Sequence, residues 1–161
     1  MGRDGCLSPS LIAFTQGGVS IRVASRTAGG HAVVGRAHAA IPMAEPGRLL
    51  IVLQAHANAE VLRAVTETGS IAVVFTQPTT HRSFQVKAAD AVVTPPAVGW
   101  REAIERHARA FALELREIGF TETFIGAYNA CDADRLAGIT FTCASGFDQA
   151  PGPHAGEPVP T

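Results

Sequence analysis

The stretch Arg48–Gln77 (RLLIVLQAHANAEVLRAVTETGSIAVVFTQ) decides the fold. Its two ends, Arg48 to Gln54 and Ser70 to Gln77, are apolar almost throughout, as strands buried on both faces are. The middle reads as a short helix. Asn58 stands at a cap position, Val61, Leu62 and Val65 share one face, and Gly69 ends the segment.

On the N-terminal side, Leu11 to Gln16 and Val19 to Arg26 flank Gly17-Gly18 and read as two strands of a hairpin. Val19, Ile21 and Val23 alternate with Ser20, Arg22 and Ala24, the period of a half-buried strand. Thr27-Ala28-Gly29-Gly30 makes a turn, His31 to Ile41 continues as strand up to Pro42, and Glu45-Pro46-Gly47 turns again. On the C-terminal side, His81 to Val93 sets Phe84, Val86 and Ala88 against Gln85 and Lys87, again a strand. Trp100 to Ile118 is the clearest helix, with Trp100, Ile104, His107, Ala108, Phe111, Leu115 and Ile118 on one stripe and Gly119 as its stop. Residues 120–137 show no readable pattern, and Ile139 to Cys143 is a last strand. Residues 1–7 read as a frayed, Gly-rich start and 147–161 as a Pro/Gly-rich tail. With neither repeat nor linker, residues 1–161 form a single, mainly β domain. Six or so antiparallel strands, a short helix and a longer C-terminal helix make a small barrel and not a doubly wound sheet.

Composition narrows the function. The 161 residues carry 13 basic and 14 acidic side chains, a balance without the footprint of a nucleic-acid or anionic-membrane binder. A 47% hydrophobic content excludes a disordered chain. No apolar run is long enough for a signal-peptide core or a membrane span, so a cytoplasmic protein is expected. The three cysteines, Cys6, Cys131 and Cys143, have no paired spacing and are expected as free thiols in a reducing compartment. Gly30 to Arg36 has the glycine spacing of a P-loop but lacks the Lys-Ser/Thr pair. Asp132-x-Asp134 lacks the glycine and glutamate of a calcium loop. The six histidines make no metal-ligand spacing, so no metal site is expected, and no nucleophile elbow is present.

The segments GRAHAAIP, RLLIVLQAHANAEVLRAV, TGSIAVVF and HRSFQVKAADAVV run as strand, buried strand, short helix, buried strand, strand. Together they resemble the FMN-binding split β-barrels related to pyridoxamine 5'-phosphate oxidase. Arg82-Ser83-Phe84-Gln85-Val86-Lys87 is the most telling piece, and GFDQAPGPHAGEP resembles a closing segment of a bacterial subgroup. The resemblance implies FMN as cofactor, a homodimer with each flavin in a groove between two chains, and FMN-dependent oxidoreduction of a small molecule. It assigns the flavin to Arg36, His56, Asn58, Arg82, Ser83, Gln85 and Lys87, with Arg36 and the helix start at His56 to Asn58 on the phosphate. The apolar stripe of the Trp100 helix adds a surface for the second copy. The helix entry Gln54–Glu60 lacks the hydroxyl and basic side chains that the family places there, and Glu60 opposes an anion. That supports an alternative from another class, a flavin-free split-barrel dimer that binds another planar ligand such as haem.

Overall fold

The computed structural model describes residues 7–159. The first element is a helix, α1 (Pro9–Thr15), and not the strand expected from Leu11 to Gln16. Its start explains why. The Ser8 side chain accepts from the Leu11 N–H at 3.3 Å, and Pro9 sits in the first turn, where its fixed φ suits a helix.

A hairpin of β1 (Ser20–Arg26) and β2 (Ala32–Ala37) follows, turned at Thr27 to Gly30. The expected single strand from His31 to Ile41 is split. At His38 the chain leaves β2 and continues as β3 (Ala39–Pro42) in a different sheet. Next come β4 (Arg48–Gln54), a 3-10 turn at His56–Asn58, α2 (Ala59–Thr68), β5 (Ile71–Thr76), β6 (Ser83–Ala88) and β7 (Val92–Thr94). Then α3 (Trp100–Glu117) precedes α4 (Glu122–Asn129), which occupies the stretch that carried no readable pattern. The chain closes with β8 (Leu136–Thr142) and β9 (Ser145–Asp148). The last strand includes Phe147 and Asp148, at the head of the expected tail, and Phe147 bridges to Pro158. At the other end Leu7 is buried, not frayed.

The nine strands of the described residues form two antiparallel sheets, ordered β2-β1-β5-β6-β9 and β3-β4-β8-β7, and neither closes on itself. The main core lies between them, built from Ile21, Val23, Val73, Phe75 and Val86 against Leu49, Ile51, Ile139 and Phe141, with Val61 and Val65 of α2. Each such side chain contributes about 1.5–3 kcal/mol by leaving water. The stripe of α3 is spent on the chain itself. Trp100, Ala103 and Ile104 cover the outside of the second sheet at Ala39, Leu50 and Val52, which corrects the expectation that the stripe awaits a second copy. Gly138 permits this approach, since a Cβ there would stand 2.5 Å from the Trp100 indole.

Asn58 is no helix cap. Its side chain is buried, its Oδ1 accepts from the Arg36 N–H at 3.0 Å, and its Nδ2 donates to the Gln54 carbonyl at 2.8 Å. Gly69 stops α2 as expected, with φ 64°. Cys143 is disulfide-bonded, which overturns the expectation of free thiols for that residue. Cys131 is free, and Cys6 lies outside the described residues. Among the described residues no helix is long and apolar enough to cross a membrane, and no three metal-ligating side chains gather.

Candidate functional site: a cationic pocket at the split between the sheets

The β1–β2 hairpin sets Arg22 directly opposite Arg36. Cross-strand neighbours share a face, and two like charges there repel. A carboxylate between them would be the ordinary remedy, yet the ion pairs among the described residues use Arg63, Arg101, Arg116, Arg135 and His154, not this pair. Both guanidiniums turn to Tyr128, near the end of α4. Arg36 donates to the Tyr128 carbonyl and stacks on its ring, 3.7 Å from the centroid, while Arg22 donates to the phenol oxygen at 3.1 Å. Burial pushes the Arg36 guanidinium below its ordinary value, the Arg22 charge adds to this, and the Tyr128 phenol opposes it.

Around this pair lies a cavity of about 500 Å³, within the range of small-molecule sites. It opens where the chain crosses from one sheet to the other, and no acidic side chain lines it. Val34, Ala57, Ala127 and Ala130 give it a small-residue wall, and Gln54 and His38 add polar edges. His38 is only 7% exposed, and among the described residues no hydrogen bond reaches its ring. Burial, then the Arg36 charge, then His107 lower its pKa to about 4. His107, on α3, is lowered to about 4 as well, first by burial and then by Arg36, with a contact to the Val19 backbone opposing. Both imidazoles are neutral at pH 7.

The expected site residues separate into four places. Arg36 and Asn58 line the cavity, but Asn58 has its amide engaged in holding the Arg36 backbone. His56 is exposed in the 3-10 turn and does not line the cavity. Arg82 and Ser83 belong to another hollow of about 330 Å³, beside Ser8, Ser10 and Asp148, with Arg82 lying over the Phe14 ring. Ser83 pairs its hydroxyl with that of Thr76 at 2.7 Å. Gln85 and Lys87 point outward from β6, and Lys87 lies over Phe147. Gln85 shares a cross-strand row with the arginines, Arg36–Arg22–Val74–Gln85, which puts it about 14 Å from Arg36 at ordinary strand spacing. The sequence reading missed Arg22, His38, Gln54 and Tyr128. For Arg22 the signal lay in the hairpin register, since centring the turn on Gly29 brings it opposite Arg36.

No family model and no curated protein matches the chain. Solved structures do. HupZ of Group A Streptococcus superposes with a TM-score of 0.57 at 11% identity, covering 93% of this chain and 99% of its own. An F420 reductase gives 0.55 at 11% identity, with 87% and 98% covered. A protein of Lactobacillus delbrueckii, provisionally assigned as a pyridoxamine 5'-phosphate oxidase, gives 0.52 at 15% identity, with 91% and 97% covered. At such identities the likeness is one of fold.

Proposed function

We propose that this chain, a split barrel of the pyridoxamine 5'-phosphate oxidase-like type, binds FMN by its phosphate at Arg22 and Arg36 and serves oxidoreduction of a small molecule. One observation carries the reading: two guanidiniums face each other across a hairpin, in a pocket free of acidic side chains. A phosphate dianion relieves their repulsion and accepts from both, through charge-assisted hydrogen bonds about twice as strong as neutral ones. Asn58 acts behind them by fixing the Arg36 backbone. The outer row from Arg36 to Gln85 passes over Val74, a flat apolar shelf with a polar amide at its far end. Bound FMN would supply the hydride or electron-pair chemistry, and the chain supplies orientation and shelter from water.

The test is a fluorescence-quenching titration of apo-protein with FMN and riboflavin. Arg36→Ala should weaken FMN at least about tenfold, the worth of one charge-assisted contact, and leave riboflavin nearly unchanged. Absence of saturable FMN binding at about 100 μM overturns the reading.

One observation favours a second reading, a haem-binding protein. The His38 imidazole is neutral and set at the pocket wall, as an iron ligand must be. A Soret band that sharpens and shifts on titration with hemin, and is lost in His38→Ala, supports it over the flavin.

We also propose a homodimer through the outer face of the first sheet. Val34 there is 71% exposed, and Ala24, Ala72 and Val74 continue the surface across β1 and β5. Light scattering after gel filtration should give about twice the 16.8 kDa chain mass.

A further inference from the structure

We propose that Tyr128 is the specificity gate of the arginine pocket, a stand-in ligand that phosphate must displace. This rests on the anion-binding reading above and adds a competitor to it.

In the structure both guanidiniums are occupied by one residue. The Tyr128 carbonyl takes the hydrogen bond that a phosphate oxygen would take from Arg36, and its ring takes the stacking place of a flat ligand. Its hydroxyl satisfies Arg22. The carbonyl belongs to the last turn of α4, where helix carbonyls lack intrahelical partners, so Arg36 also serves as the helix's C-terminal cap. A ligand on Arg36 therefore uncaps α4.

The rest of α4 holds on lightly. Of its eight residues Ile125 alone is buried. Beyond the arginines its C-terminal half is tied by Ile125 against Phe111, Ala112 and Leu115, by Asn129 Nδ2 donating to the Ala108 carbonyl at 3.3 Å and by the Phe111–Tyr128 ring contact at 5.6 Å. The exposed Arg116–Glu122 ion pair holds only its first turn. Phe120 and Phe124, stacked ahead of Tyr128, are each 42% exposed. Removal of the helix end leaves the main core intact, because that core lies between the sheets and α2.

Charge decides the competition. A dianion on two guanidiniums outbids a neutral carbonyl and a phenol. A small anion, however, replaces only the hydrogen bonds and forfeits the ring stacked on Arg36. A flat aromatic phosphomonoester replaces both. The gate thus selects ligands that join a phosphate to a planar ring over inorganic phosphate.

The probe is inorganic phosphate, measured by calorimetry on wild type, Tyr128→Phe and Tyr128→Ala, with amide exchange of residues 122–129 followed in wild type. A gate closed nine-tenths of the time lowers apparent affinity about tenfold. Tyr128→Ala, which keeps the backbone carbonyl but removes the ring and hydroxyl that hold it on the arginines, should recover most of that factor. Tyr128→Phe keeps the ring and loses only the Arg22 contact, and should shift affinity in the same direction by a smaller factor. Phosphate should speed exchange across 122–129. If both variants bind phosphate no tighter than wild type, or exchange in wild type is unchanged or slowed at saturation, the gate is refuted while the anion site stands. If none of the three proteins binds phosphate at about 10 mM, the anion site itself falls and the gate with it.

Discussion

Gly35 shows how closely the pocket is built. A Cβ at this position would stand 2.0 Å from Asn58 Oδ1, the atom that accepts from the Arg36 N–H. Gly35→Ala therefore expels the Asn58 side chain and strands a backbone donor, at a cost of about 2 kcal/mol or more. Asn58→Ala alone should cost about 1–3 kcal/mol. Since both act on one contact, the double substitution should cost clearly less than the sum of the two, as urea unfolding would read. An additive result would show that Asn58 does not hold the pocket. At this scale the sequence was partly legible. Arg36 was assigned through the family resemblance, by its place on the strand expected ahead of β4. Arg22 did not stand out, because its role depends on hairpin register. Tyr128 and His38 did not either, since an isolated side chain discloses nothing until other elements surround it.

Among the elements, α1 and α4 teach opposite lessons. The signal for α1 was present in Ser8-Pro9, a cap followed by a first-turn proline, and a short apolar run outweighed it. Ser8→Ala should cost about 1 kcal/mol in urea unfolding, as loss of a cap does, and no measurable change would mean the cap is idle. In α4 propensity is poor, with Thr, Phe, Gly and Tyr among its eight residues, and its position comes from Arg36, Arg22 and α3. Contacts made across so many residues leave no local trace. The strands of the core were legible because burial leaves its mark directly in the residues, as alternation in β1 and β6 and as an unbroken apolar run in β4 and β5. The break at His38 was not, since a strand that changes sheets stays extended and apolar on both sides of the crossing.

For the molecule as a whole, the two buried histidines set a pH limit. In the folded chain their pKa values lie at about 4, against 6.5 for a free imidazole. Between those values the unfolded chain binds protons that the folded chain refuses, so stability is full above pH 6.5 and falls as pH drops toward 4. The loss between pH 7 and pH 5 should be about 2 kcal/mol for each imidazole. Urea unfolding at the two pH values checks this, and His107→Leu should flatten the dependence by about half. The order β3-β4-β8-β7 carries a consequence for synthesis. β4, with Leu49 to Leu53 all buried, obtains its second neighbour only from Leu136–Thr142. Until the ribosome has released that late segment, a nascent chain presents a long, uncharged strand edge, the kind that recruits other chains into aggregates. Expression yield should thus depend on translation past β8 and on chaperone supply, and a chain stopped at Ala130 should accumulate in inclusion bodies.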